Sequence, residues 1–352
     1  MIAAKAYAAT STSARLTPYS FTRRAPRAND VVIDILYCGI CHSDIHHTRG
    51  EWGDIGIYPL VPGHEIVGKI SAIGSGATKF KIGDVVGVGV IVDSCRTCPQ
   101  CTKGLEQYCA DDPTYTYSVM ERDGSGPTQG GYSSVIVVDE DYVLRMPLNL
   151  PLDAAAPLLC AGITLYSPLR HWGAGPGKRI AIAGLGGLGH MGVKLARAMG
   201  ADVTVLSHSA GKRDDALQMG AHHFHTLNDA GAFAALRGTF DLLINTVSAE
   251  IDWNAYLSLL AVDGHMVMVG LPQQPVPVSA FALVGGRKSL AGSGIGGIAE
   301  TQEMLDFCGQ HNIVCDIERI GIQQVNEAWD RVVKNDVRFR FVIDMQTLTA
   351  AA

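Results

Sequence analysis

The chain has 352 residues, more than the roughly 250–300 at which a single hydrophobic core usually stops growing, so two domains are expected. Its residues are 47% apolar and 18% charged, an ordinary globular balance with ample material for cores. Lysine and arginine total 28 against 34 acidic residues, a formal charge of −6. With no basic run interleaved with aromatics, this disfavours a nucleic-acid groove.

The opening segment "MIAAKAYAATSTSARL" lacks a basic stretch followed by an apolar core and a cleavage site, so no signal peptide is expected. Residues 1 to about 150 read as β-rich. The runs "DVVIDILYCGI", "HEIVGKISAIG", "DVVGVGVIV" and "YSSVIVVDEDYVLRM" are separated by Gly, Asp and Pro. Prolines 147, 151 and 157 bracket a change of pattern. Beyond them "RIAIAGLGG" leads into a helix, then "DVTVLS", a charged helix, "FDLLINTV", another helix and "HMVMVG". Apolar strands alternating with helices predict a parallel sheet with crossover helices. "AETQEMLDFCGQH" and "GIQQVNEAWDRVVKN" predict two amphipathic helices, and "RFRFVID" a closing strand. The longest apolar run, "IAIAGLGGLGHMGV", is glycine-rich and about fourteen residues long, too short to span a bilayer. The expectation is a cytoplasmic protein with no membrane partner, in a compartment where clustered thiols favour a metal over disulfides.

Four of the nine cysteines fall within sixteen positions, as Cys95-x2-Cys98-x2-Cys101-x7-Cys109. Four thiolates gathered by tight turns make a soft tetrahedral cage suited to Zn²⁺. A cage with every position filled by protein leaves no room for substrate, so this site is expected to be structural. A bacterial iron–sulfur run places its fourth cysteine three residues on and follows it with Pro; here Ala110 follows a seven-residue gap. Three other segments carry metal-compatible groups, Cys41, His64 with Glu65, and Cys160. Two thiolates and an imidazole with an open fourth position form a catalytic arrangement. Taken singly, Cys160 also reads as a core cysteine and His64 as a turn cap.

The turn Gly184-Leu185-Gly186-Gly187-Leu188-Gly189 follows an apolar strand and opens a helix, the context that gives G-x-G-x-x-G its meaning as a dinucleotide site. At the end of the next strand, where an NAD enzyme carries Asp or Glu, stand Ser207, His208 and Ser209, with Lys212 and Arg213 behind them. No carboxylate repels a 2′-phosphate there, and hydroxyls and cations can receive one. NADP(H) is the cofactor expected. The two cations also admit a plainer role at a helix start.

With these patterns in hand, the sequence resembles the zinc-dependent medium-chain alcohol dehydrogenases, in particular the cinnamyl alcohol dehydrogenase group with its bacterial broad-range aldehyde reductases. The matching text runs in order through "CGICHSD", "YPLVPGHEIVG", "GDVVGVG", "CxxCxxC", "GGYSS", "APLLCAGIT", "GLGGLGHMGVKLA" and "RFRFVID". The resemblance implies an α/β chain with a GroES-like β-rich catalytic domain over residues 1–155, carrying a structural zinc lobe at about 93–112. A Rossmann domain with a doubly wound parallel sheet would follow over 156–295, and residues 296–352 would return to the catalytic domain. It implies two zinc ions per chain, a catalytic one on Cys41, His64 and Cys160 with Glu65 as an exchanging ligand, and a structural one in the lobe. Ser43 matches the hydroxyl that meets the substrate oxygen, His46 an outer proton-relay group, and Asp44 the carboxylate orienting His64. Ser207, Ser209 and Lys212 match the NADP phosphate contacts, and Thr164, Val269, Ser293 and Arg340 further cofactor contacts. The implied activity is hydride transfer between NADP(H) and aromatic or medium-chain aldehydes and alcohols, by a homodimer. Trp52, Ile55 and Ile57 are candidate pocket walls, although Trp52 also suits simple packing beneath its loop. A polyol or sugar dehydrogenase is the rival in the same class. A zinc-free quinone reductase would lack Cys41, His64 and Cys160, and a non-enzymatic nucleotide-sensing zinc protein would lack the open metal position or the relay.

Overall fold

The computed structural model describes residues 1–53, 56–228 and 230–348. The chain divides into two compact units, Met1–Cys160 with Gly296–Ala352, and Ala161–Ile295.

The first unit is built on a seven-stranded sheet. Asp30–Gly39 is its hub, pairing antiparallel with Ile66–Ile73, with Val135–Asp139 and with Arg340–Asp344. Val85–Val88 and Leu144–Arg145 extend one side, and Ile317–Gly321 the other. The hub is apolar along most of its length because both its faces are covered. Val31, Ile33, Ile66, Ile70, Val88, Val342 and Ile343 are all buried, and each such side chain contributes about 1.5–3 kcal/mol when removed from water. An antiparallel hairpin, Ile2–Ala8 with Thr17–Arg23, lies outside this sheet. The helices Ile298–His311 and Val325–Val333 and the strand Arg340–Asp344 realise the three closing elements expected from the sequence.

The cysteine-rich lobe departs from this economy. Between Ser94 and Ala110 the buried residues are Ser94, Cys101, Gln107 and Cys109, while Leu105 and Tyr108 face solvent. It therefore has no apolar core and depends on its cysteines. Arg96 ties its base to Asp93, Asp139 and Asp141 and lies over the Tyr142 ring. These partly exposed pairs are worth about 0–1 kcal/mol each and cannot replace a core. Glu106 Oε2 accepts from the Ile298 amide at 3.1 Å, fastening the lobe to the start of a helix.

The second unit is a six-stranded, wholly parallel sheet. Its spatial order is His223–Thr226, Asp202–Ser207, Arg179–Ala183, Phe240–Asn245, Leu260–Met268, Ser289–Gly292. This is the doubly wound 3-2-1-4-5-6 order, which reverses direction beside the first strand. The central strands are continuously apolar, as a sheet covered on both faces requires. Among the described residues no single helix is long and apolar enough to cross a membrane.

Candidate active site

Cys41 is the N-cap of the short helix His42–Arg49. The three other groups lie at positions 64, 65 and 160 of the same unit. One ligand atom from each of Cys41, His64, Glu65 and Cys160 lies within 4.8 Å of every other, and the two sulfurs are 4.0 Å apart. His64 Nε2 and one Glu65 carboxylate oxygen are buried without a hydrogen-bond partner. Buried polar atoms are usually satisfied, and these two orphans lie among the converging ligand atoms, where a metal ion would satisfy them. The hydrogen bond from Cys160 and the neighbouring His64 hold the Cys41 thiol well below its usual range, so it is ready to ligate as thiolate. This donor set fits Zn²⁺.

Asp44 lies beneath this cluster with no solvent exposure. Its Oδ1 is 3.0 Å from His64 Nδ1 and accepts from the Gly63 amide, while Oδ2 accepts from the Cys41 amide at 2.9 Å. A proton held on Nδ1 leaves Nε2 as the lone-pair donor. Glu65 is equally buried and its carboxyl is pushed up to about 7 by desolvation, against the opposing charge of Arg340. Arg340, a candidate cofactor contact by resemblance, sits in this unit and donates to the Glu65 carboxylate and to the Ile40 carbonyl. A Cβ on Gly39 would run into the Glu65 carboxylate, so glycine keeps that space open.

Ser43 Oγ is 3.6 Å from Cys41 Sγ. His46 lies one helical turn further on, partly exposed, with Nδ1 2.5 Å from Glu51 Oε2. Trp52 stacks on the His46 ring at 5.0 Å and meets His47 edge-on, so the candidate relay histidine and the candidate pocket wall are packed together. Ile57 is half-buried, its amide donating to Ser118 Oγ. Ile55 lies outside the described residues. Glu51, Tyr117 and Tyr132 were not singled out by the sequence. Glu51 follows the helix cap Gly50, a faint signal; Tyr132 falls within the matching text "GGYSS" but had no role assigned to it, and Tyr117 gave no signal.

Cys95, Cys98, Cys101 and Cys109 also bring their sulfurs within 4.8 Å of one another. All nine cysteines are free of disulfides. Amides of Cys95, Cys98, Cys101 and Ala110 point at these sulfurs from 3.3–3.4 Å. Those from Ala110 and Cys101 bring the Cys98 thiol down to about 6. Four convergent thiols cradled by amides fit a closed Zn²⁺ cage.

In the second unit the glycine turn begins at the carboxyl end of Arg179–Ala183. Gly184 has φ +89°, and a Cβ there would strike Thr246 and Val247. A Cβ on Gly189 would meet the Gly184 carbonyl, whereas one on Gly186 would meet nothing within 4 Å. The turn is thus closed on its protein side and open where a pyrophosphate would lie, followed by the helix Gly189–Ala198 and its favourable dipole end. Lys212 Nζ donates to the Leu185 carbonyl at 2.7 Å, linking the turn to the segment after Asp202–Ser207. Ser207 Oγ accepts from the Ser209 amide, His208 Nε2 is 3.4 Å from the Tyr256 hydroxyl, and Arg213 donates to the Phe224 carbonyl. Val269 and Ser293 follow the carboxyl ends of two other strands, bonded to Asn245 and Met268 carbonyls, and Thr164 is buried in the helix Ala161–His171.

Comparison with known proteins agrees with this architecture. The alcohol dehydrogenase GroES-like domain family matches residues 27–148, and the zinc-binding dehydrogenase family residues 187–310. The chain is 59% identical over 343 residues to the NADP-dependent alcohol dehydrogenase C of Mycobacterium bovis, covering 97% of this chain and 99% of the relative. It is 52% identical to the aldehyde reductase YahK of Escherichia coli, covering 98% and 99%. Its fold superimposes on the cinnamyl alcohol dehydrogenase SbCAD4 of Sorghum bicolor with a TM-score of 0.94, at 49% identity over 98% of both chains. For the Helicobacter pylori cinnamyl alcohol dehydrogenase complexed with NADP(H) the TM-score is 0.91, at 44% identity over 98% and 99%. The chain belongs to the zinc-dependent medium-chain alcohol dehydrogenases, in the cinnamyl alcohol dehydrogenase group.

Proposed function

We propose that this chain interconverts aldehydes and primary alcohols with NADP(H), with aldehyde reduction as its cellular direction and aromatic and medium-chain aliphatic aldehydes as substrates. The observation that carries the proposal is the convergence of Cys41, His64 and Cys160 around an orphaned imidazole nitrogen. When bound, zinc supplies a Lewis acid for the substrate oxygen and NADPH a hydride.

The protein's own part is to place and move a proton. Asp44 keeps His64 in the tautomer that offers Nε2 inward. In reduction Ser43 hydrogen-bonds the substrate oxygen and supplies the proton that oxygen takes up, and His46 forms the outer end of the relay that restores it from solvent. Glu51 and the Trp52 face fix the orientation of the His46 ring, and Trp52 and Ile57 contribute apolar wall. Ser207, Ser209 and Lys212 receive the 2′-phosphate, where no carboxylate stands against it. Two chains associate through the free edge of the Ser289–Gly292 strand, beside the exposed Leu271, Phe281 and Val284. Such thiol-rich chemistry suits the cytoplasm.

A panel of aldehydes, from cinnamaldehyde and benzaldehyde to medium-chain aliphatic and sugar aldehydes, assayed with NADPH and NADH in turn, tests this reading. Faster turnover of the aromatic and aliphatic members with NADPH is expected. A preference for sugars or polyols would transfer the chain to the polyol dehydrogenases.

A further inference from the structure

The Asp44 carboxylate is held by more than the metal site. Its Oδ2, already bonded to the Cys41 amide, is 3.3 Å from the Tyr132 hydroxyl. Tyr132 has no solvent exposure. On its far side the Trp329 indole Nε1 lies 3.5 Å from the Tyr132 oxygen, and Trp329 comes from the closing helix Val325–Val333.

The direction of this chain is fixed by chemistry. An indole N–H can only donate, so the Tyr132 oxygen accepts from Trp329 and turns its single hydrogen to Asp44. A buried carboxylate can only accept, so Asp44 receives from Tyr132 on one oxygen and from His64 on the other. The two oxygens have separate tasks. Oδ2 is pinned by Cys41 and Tyr132, which sets the carboxylate plane and leaves Oδ1 aimed at His64 Nδ1. The chain ends at His64 Nε2, the orphaned atom.

We infer that Tyr132 is a positioning residue for the metal ligand His64, acting through Asp44, and that Trp329 orients Tyr132, so the C-terminal return of the chain helps to retain the catalytic metal. The inference rests on reading Cys41, His64 and Cys160 as the metal site. That reading is checked separately by two zinc ions in the wild type and by loss of one of them in Cys160→Ser.

The test is the rate at which each zinc is lost to an excess of a zinc chelator, followed by a zinc-sensitive dye on the intact protein, with the catalytic ion identified as the one missing from Cys160→Ser. In Tyr132→Phe the catalytic ion should leave about tenfold faster, the lower end for loss of an outer partner of a metal ligand, while the structural ion leaves at its wild-type rate. In an Asp44→Asn background, Tyr132→Phe should add no further acceleration. Trp329→Phe, which keeps an aromatic ring and removes the N–H, should accelerate the same ion by about threefold, and it carries the test if Tyr132→Phe does not fold. Wild-type release from the folded variants would overturn the inference. So would equal acceleration of both ions, or a Tyr132→Phe effect undiminished in the Asp44→Asn background, since each signals general loosening.

Discussion

Glu51 Oε2 lies 2.5 Å from His46 Nδ1, and the two residues are separated only by the end of one short helix. The contact gives the outer histidine a fixed ring orientation. Glu51→Gln keeps the shape and removes the charge, so kcat for aldehyde reduction should fall about tenfold, a part of the roughly 10²–10⁴-fold that a positioned acid–base group contributes. The KM for NADPH should stay within about twofold. Unchanged kcat would remove Glu51 from the relay.

Cofactor choice is testable at the end of the second strand of the parallel sheet. Ser207 is buried at that end, and its hydroxyl accepts from the Ser209 amide. A carboxylate in its place would oppose a 2′-phosphate at close range. Ser207→Asp should lower the NADPH over NADH preference, measured as the ratio of kcat/KM values, by about 10–100-fold, equivalent to ~1.4–2.7 kcal/mol. An unchanged ratio would place the phosphate elsewhere.

The lobe makes a different kind of prediction. With Leu105 and Tyr108 exposed and cysteines among its few buried side chains, it has no apolar core, and its polar ties through Arg96 and Glu106 are weak substitutes. Cys98→Ser should release one zinc per chain and cost about 4 kcal/mol or more, as loss of a structural metal does. Thermal unfolding and metal analysis together read this. The protein that survives should still transfer hydride, because the lobe contributes no open position.

How much of this was legible in the sequence follows from how local each feature is. The four lobe cysteines and the glycine turn are each set by one short segment, so their spacing sufficed. The strands and helices of the parallel sheet were legible because burial on both faces leaves continuous apolar runs. Cys41 and Cys160 stand 119 residues apart, and no periodicity joins them; the family resemblance did. Arg340, named by resemblance as a cofactor contact, also has its guanidinium against Glu65, a contact across 275 positions that no local pattern announces. The Tyr132–Asp44 and Trp329–Tyr132 contacts cross 88 and 197 positions, and only packing reveals them. Ile55 lies outside the described residues.

In the proposed reaction one ion held by Cys41, His64 and Cys160 activates the substrate oxygen. Zinc content and NADPH-dependent aldehyde reduction measured on the same samples of wild type and Cys160→Ser test it most directly. The wild type should hold two zinc ions and the variant one, with turnover lowered about 10³-fold or more, as expected when a Lewis acid worth several kcal/mol is removed. Two ions retained in Cys160→Ser, or wild-type turnover with only one, would contradict it.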